Sequence, residues 1–276
     1  MIRMTDISFA YGSTEILKDF NLELKAGETV MITGPNGMGK STILRLLASV
    51  LIPQSGEIDH GYPEGTDPRQ RTAFLPDSLS IYKSMTPLEA ARFHAGIFGT
   101  EPSCLKLAKK AGVDVNRHIY ELSIGQQVLV HMSIILSTNP ELILIDEVLH
   151  SVDLYLRDVL FRELIEVMEE RNPTVVMVNL NFHDIEHIAD RVIFLGREGI
   201  RLDEPVDELK AKTRRITAEE VPPEYQVLLT ENVLDKKHHI VYPFERKYGK
   251  IADEDIREMD LTEIMTAFMG GEYGVS

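Results

Sequence analysis

The chain has 276 residues, enough for one large domain or one domain with a smaller appendage. A composition of 43% hydrophobic and 26% charged residues is that of an ordinary globular chain and excludes disordered, collagen-like and fibrous classes. The formal net charge of −15 opposes a general electrostatic grip on nucleic acid or anionic lipid, so no nucleic-acid partner is expected. No stretch reaches the roughly 18 apolar residues that read as a membrane span, and the N-terminal MIRMTDIS has no apolar signal core. A cytoplasmic protein is expected, and the single Cys104, read as a small apolar residue, agrees with a reducing compartment.

The first thirty residues alternate as paired strands do, through Ile2, Met4, Ile7 and Phe9 and then Leu17, Phe20, Leu22 and Leu24, with turn residues at Gly12, Ser13, Ala26 and Gly27. This predicts an antiparallel, β-rich start. A short buried-type strand at 29–33 runs into a glycine-rich turn, and a helix follows with Ile43, Leu44, Leu46, Leu47 and Val50 on its apolar positions. From about 78 to 121, Pro87, Gly96, Gly99 and Pro102 punctuate helical stretches, which predicts a helical insertion. A helix over 124–137, a strand over 142–145, a helix over 154–170 and a strand over 174–178 come next. Strands alternating with helices predict a parallel sheet covered on both faces. A strand at 191–195 ends at Gly196, and the basic segment 210–215 is taken as a boundary, giving regions 1–215 and 216–276. The second region predicts strands at 225–229 and 238–242 and an amphipathic helix over 261–268 closed by Gly270 and Gly271, a small appendage rather than a strong core of its own.

Between the 29–33 strand and its helix lies Gly34-Pro35-Asn36-Gly37-Met38-Gly39-Lys40-Ser41, which fits GxxxxGK[ST] in the strand–loop–helix setting that motif requires. Glycines let backbone N–H groups turn inward around phosphate oxygens, and the helix adds its positive N-terminal end through Thr42. Lys40 is placed to reach the terminal phosphates and Ser41 to hold magnesium. The alternative is a glycine-rich turn that only caps a helix. Leu142-Ile143-Leu144-Ile145-Asp146-Glu147 delivers two carboxylates at the C-terminal end of an apolar strand, where open α/β sheets bind ligands. Asp146 is the candidate metal ligand and Glu147 the candidate general base toward water; a solvated strand end is the simpler alternative.

These residues resemble the nucleotide-binding domain of ABC transporters over residues 1 to about 205. Leu122-Ser123-Ile124-Gly125-Gln126 is similar to the family's LSGGQ signature and stands ahead of Asp146 as the signature does. As a bare pentapeptide it is also a helix start capped by Ser123. The resemblance implies an α/β fold: a P-loop NTPase parallel sheet with an N-terminal antiparallel β subdomain, the helical insertion and the C-terminal appendage. It implies ATP and Mg2+ as cofactors. Ser123, Gly125 and Gln126 would face the terminal phosphate of ATP bound to an opposite subunit. Tyr11 is similar to the aromatic residue that stacks on adenine, with a strand-end tyrosine as the alternative, and Asp153 resembles the aspartate loop between paired sites, or equally a helix N-cap.

The departures matter as much. Asp77 stands where the family has glutamine; it can touch magnesium or water but cannot donate as an amide does. Leu180 stands where the switch histidine belongs, His183 is the nearest replacement as a catalytic residue, and Val148 replaces a proline after Glu147. Missing transition-state contacts imply tight ATP binding with slow hydrolysis. The resemblance also implies a peripheral location through a membrane-spanning permease subunit on a separate chain, and a homodimer or a heterodimer of nucleotide-binding domains. Ile81, Tyr82, Met85 and Leu88 are candidate contacts to that permease or simply local core, and the closing pattern from Asp260 to Gly271 resembles export-type subunits. A catalytically silent ATP-binding regulatory module is the second expectation, ahead of a nucleic-acid-linked ATPase and a small-molecule kinase.

Overall fold

A computed structural model describes residues 1–79, 82–100, 105–147, 152–178, 186–234, 236–246 and 251–273, with side chains through 270. Ile81, Cys104, Val148, Leu180 and His183 lie outside the described residues. The chain divides into two compact units, Met1–Val30 with Gly39–Asn179, and Met31–Met38 with Leu180–Ser276.

In the first unit, β1 (Ile2–Tyr11) and β2 (Thr14–Leu24) form the antiparallel pair that the alternation predicts, with Ile2 opposite Leu24 and Phe9 opposite Leu17. The apolar spacing changes from two to three residues between Met4 and Ile7 because the register shifts there. Asp6 takes a positive φ of 50° at that step, and its backbone N–H donates to Asn21 Oδ1 at 3.0 Å, so the bulge keeps both Met4 and Ile7 inside. β3 (Thr29–Thr33), of which only Thr29 and Val30 belong to this unit, is buried at every position, and α1 (Lys40–Leu47) follows in the first unit. β4 (Ser55–Asp59) pairs along the other edge of β1; its largely exposed Ser-Gly-Glu-Ile-Asp sequence gives no periodic signal, which is why chain order alone did not reveal it.

β5 (Thr72–Leu75), β6 (Leu142–Ile145) and β7 (Thr174–Val178) run parallel, with Leu75 beside Ile145 and Ile145 beside Met177. All of β6 and β7 is buried, as continuous apolar runs in a covered parallel sheet require. The sheet's C-terminal edge is therefore where Asp146 and Glu147 leave it.

The predicted helical stretch contains α2 (Pro87–Phe98), opened by the reciprocal cap of Thr86 and Glu89 and closed at Gly99 with φ 65°, and α3 (Lys106–Lys110). Ala90, Ala91, Leu105, Ala108, Val130 and Ile134 pack into one cluster, the last two from α4 (Ile124–Leu136). Lys106 and Lys110 reach Glu163 and Glu166 on α5 (Leu154–Arg171), so charge-paired side chains fasten α3 to that helix.

His131 on α4 is half-buried with His94 of α2 nearby, and desolvation of its ring takes its pKa down from 6.5 to about 4. Its Nδ1 has no partner. A group that must enter the fold neutral costs stability once the unfolded chain can protonate it, so stability is full above about pH 6.5 and falls as the pH drops through about 4. The whole effect is roughly 3 kcal/mol. His131→Leu is expected to flatten the acid limb of a melting-temperature profile between pH 7 and 4, with little change at pH 7.5.

In the second unit, β8 (Arg191–Gly196) and β9 (Gly199–Pro205) form an antiparallel hairpin, followed by α6 (Val206–Lys212). β10 (Arg214–Thr217), β11 (Val227–Val233), β12 (Lys236–Val241) and the two-residue β13 (Ile256–Arg257) make an antiparallel sheet in the order β11-β12-β10-β13. The basic segment 210–215 is thus the end of a helix and the start of a strand. α7 (Leu261–Tyr273) brings Phe268 against Phe194 and Tyr242, at centroid distances of 5.7 and 5.6 Å, and Gly270 against Leu229 of β11. No helix among the described residues is long and apolar enough to cross a membrane.

Candidate functional site

Chain direction does the first work here. β3 ends at Thr33, and the loop that follows takes left-handed backbone at Gly34, Gly37 and Gly39, with φ 135°, 84° and 87°. At Gly34 a Cβ would stand 2.2 Å from the carbonyl oxygen of Leu195, so this position needs hydrogen for space as well as for conformation. Gly34→Ala is therefore expected to cost about 2–4 kcal/mol in a denaturant melt, beyond any effect on ligand. Gly39 is the N-cap of α1, and no side chain caps the helix. The N-cap glycine supplies no side-chain acceptor to the first turn, and a helix start of that kind takes an anion. Pro35, Asn36 and Met38 complete the loop between the three glycines.

Asp146 is fully buried one residue beyond β6. Its backbone N–H donates to Leu75 at the end of β5 at 2.9 Å, which pins it to the sheet. Its Oδ1 accepts from the Ser41 hydroxyl at 3.0 Å and from the Glu147 N–H at 3.1 Å, while Oδ2 is buried with no partner among the described residues. Burial raises the Asp146 pKa, against the hydrogen bonds that lower it. A buried carboxylate oxygen left unmet beside a serine hydroxyl is a donor set that fits a hard divalent cation, and Mg2+ passes that test at Ser41 and Asp146.

Lys40 is 6% exposed, and its ammonium lies 3.8 Å from Glu147 Oε1. Desolvation lowers its pKa, with Glu147 and then Asp146 acting in the opposite direction. Glu147, about a third exposed, keeps a face toward solvent at the strand end. The unit-one geometry therefore brings Lys40, Ser41, Asp146 and Glu147 together as the sequence predicts.

Asp77 is placed differently from the expectation of a metal contact. Its Oδ1 accepts from Arg45 Nη2 at 3.1 Å and from the Ser78 N–H at 2.9 Å, so the carboxylate is engaged by a cation of α1. The Arg45 pKa is raised, first by a hydrogen bond to the Tyr11 hydroxyl and also by Asp77. Tyr11, 45% exposed at the end of β1, additionally sits edge-on to Phe9 at 5.0 Å. Arg45 is the site residue that sequence reasoning missed. An acid in the glutamine position was the signal, since a carboxylate among other acids draws a neighbouring cation.

Ser123 and Asp153 both cap helices. Ser123 Oγ accepts from the Gln126 N–H at 3.2 Å while Gln126 Oε1 accepts from the Ser123 N–H, and Asp153 Oδ1 accepts from the Leu156 N–H at 3.1 Å. Gly125 joins the two: a Cβ there would come within 2.9 Å of Leu156 Cδ1 and 3.6 Å of Asp153 Oδ2. Two helix starts are thereby held side by side, with Ile124, Leu154 and Tyr155 at 56%, 79% and 64% exposure around them.

Residues 17–150 match the profile of the family described as ABC transporter. A curated relative, the lactose transport ATP-binding protein LacK of Rhizobium radiobacter, is 31% identical over 209 residues, which cover 72% of this chain and 57% of that protein. The high-affinity zinc uptake system ATP-binding protein ZnuC of Bacillus subtilis is 28% identical, over 71% of this chain and 91% of ZnuC. The chain thus spans little more than half the length of LacK. The dimeric structure of MJ0796, a bacterial ABC transporter cassette, superposes with a TM-score of 0.66 at 25% identity, covering 75% of this chain and 99% of that one.

Proposed function

The chain belongs to the ABC transporter family, and from that premise we propose that it is an ATPase subunit which drives transport through a separate membrane-spanning permease. The observation that carries the reading is the buried Asp146, hydrogen-bonded to Ser41 in the first turn of α1.

In this reading the loop 34–39 and the start of α1 bind the triphosphate through backbone N–H groups, and Lys40 neutralises its terminal charge. Ser41 and Asp146 would hold Mg2+, which supplies Lewis-acid polarisation of the phosphoryl oxygens when bound. Glu147 takes the proton from the attacking water as general base. Its carboxylate stands 3.8 Å from Lys40 Nζ, so the general base and the phosphate-binding ammonium share one site. Tyr11 offers its ring to the adenine face while its hydroxyl stays with Arg45.

Hydrolysis needs a second cassette. Ser123, Gly125 and Gln126 head a helix whose start faces outward, and the exposed Ile124, Leu154 and Tyr155 around it supply an apolar rim for a head-to-tail partner, a second copy or a different cassette. The MJ0796 cassette, 99% of whose length is matched, is dimeric. The permease contact is assigned to the helical segment, where Tyr82 and Phe93 stand exposed with rings 4.9 Å apart. In this reading the subunit works at the cytoplasmic face of a membrane. Export is carried by the closing segment 260–271 alone; LacK and ZnuC are named for lactose transport and zinc uptake. His183 remains the candidate for the switch role.

The second reading, a weakly hydrolytic or silent ATP-binding module, is favoured by one observation, the commitment of Asp77 to Arg45 in place of a glutamine amide. Light scattering on Glu147→Gln decides between them. MgATP-dependent dimerisation supports the transport ATPase, dimerisation only after a second cassette is added supports the silent half of a heterodimer, and a chain that stays monomeric in both overturns the head-to-tail reading.

A further inference from the structure

The Arg45–Asp77 pair offers an inference that rests on the magnesium reading above and deepens it. β5 delivers Asp77 two residues after Leu75, whose carbonyl oxygen accepts the Asp146 N–H at 2.9 Å, so both carboxylates emerge at one sheet edge. Three acids, Asp77, Asp146 and Glu147, thus surround a place where a polyanion is to bind, and Lys40 alone cannot balance them. Arg45 balances the first. Its Nη2 takes Asp77 Oδ1 at 3.1 Å.

We propose that Arg45 is a positioning residue that neutralises Asp77 and holds it outside the metal shell, leaving Ser41 and Asp146 as the protein's metal ligands and the triphosphate site free of an extra negative charge. The acid in the glutamine position then acts with Arg45 as one neutral unit. Removing Arg45 has two opposite effects. Asp77 becomes available beside Asp146, so a free divalent cation binds more tightly, while the uncompensated carboxylate repels the nucleotide. A variant that merely loosens the fold would weaken both. Arg45 and Asp77 are 32% and 47% exposed, which screens the effect to about fivefold in each direction.

The experiment is a double-mutant cycle with Arg45→Gln, Asp77→Asn and the pair, on the full chain. Free Mn2+ binding without nucleotide is read by electron paramagnetic resonance, and MgATP binding by equilibrium dialysis in the cold. The expected pattern is Mn2+ affinity equal in the parent and Asp77→Asn, about fivefold tighter in Arg45→Gln, and back to the parent value in the double variant. MgATP affinity is expected to fall about fivefold in Arg45→Gln and to be restored in the double variant. Weaker Mn2+ binding in Asp77→Asn alone would make Asp77 a ligand despite Arg45 and overturn the inference, as would an Arg45→Gln gain that persists without Asp77. A parent chain that binds no MgATP overturns the nucleotide reading itself, a separate outcome.

Discussion

Glu147→Gln is expected to bind MgATP as the parent does and to hydrolyse it about 10²–10³-fold more slowly. The amide keeps the size and direction of the side chain 3.8 Å from Lys40 and removes only the capacity to accept a proton from water. Positioned proton transfer accounts for a rate factor of about 10²–10⁴, and the lower part of that range applies because Lys40, Ser41 and Asp146 remain to orient and neutralise the phosphates. The measurement is single-turnover hydrolysis beside equilibrium nucleotide binding. A loss of rate with unchanged affinity identifies the base. Equal loss of both says that Glu147 holds the site together through Lys40, and an unchanged rate moves the base elsewhere.

Lys40→Met is expected to lower MgATP affinity by about 100-fold while leaving the ligand-free chain as stable as the parent or more so. The two effects have one cause. The ammonium is 6% exposed, and burial, which lowers its pKa, outweighs the attraction of Glu147 and Asp146. Keeping that charge in the folded chain costs free energy, and a methionine of similar length removes the cost while filling the same space. The sign with pH follows. Because the folded pKa lies below the ordinary 10.5, the unfolded chain binds more protons in the window between the two values, so stability gains there as pH rises. Lys40→Met should lose that alkaline gain. Comparing melting temperatures at pH 7 and pH 9.5, with and without MgATP, checks both halves: the methionine variant should show no ligand-induced rise at nucleotide concentrations that saturate the parent.

Tight nucleotide sites of this kind are built by local chemistry and completed by tertiary placement. The amino-acid sequence by itself determined the glycine-rich loop, its strand before and helix after, the apolar strand that ends in Asp146 and Glu147, and the serine that starts α4, because each is a contiguous pattern whose residues fix their own backbone. Left-handed glycines, continuous apolar runs and caps act over a few residues, so they are visible before any fold is known. The β-rich start was legible for the same reason, since β1 and β2 share one turn.

What only the tertiary structure decided is which distant groups meet. β4 gave no signal because its pairing to β1 comes from an open edge rather than from its own apolar content. The acid at 77 read as a metal contact by position, yet it is engaged by Arg45, a residue thirty-two places away that no motif marks. Gly125 lies against Asp153 and Leu156 because two helices start side by side, which neither helix encodes alone. The unmet oxygen of Asp146 likewise exists only once the parallel strands have closed around it. Charge balance and packing are sums over neighbours in space, and a linear pattern carries those neighbours only where the chain happens to place them in succession.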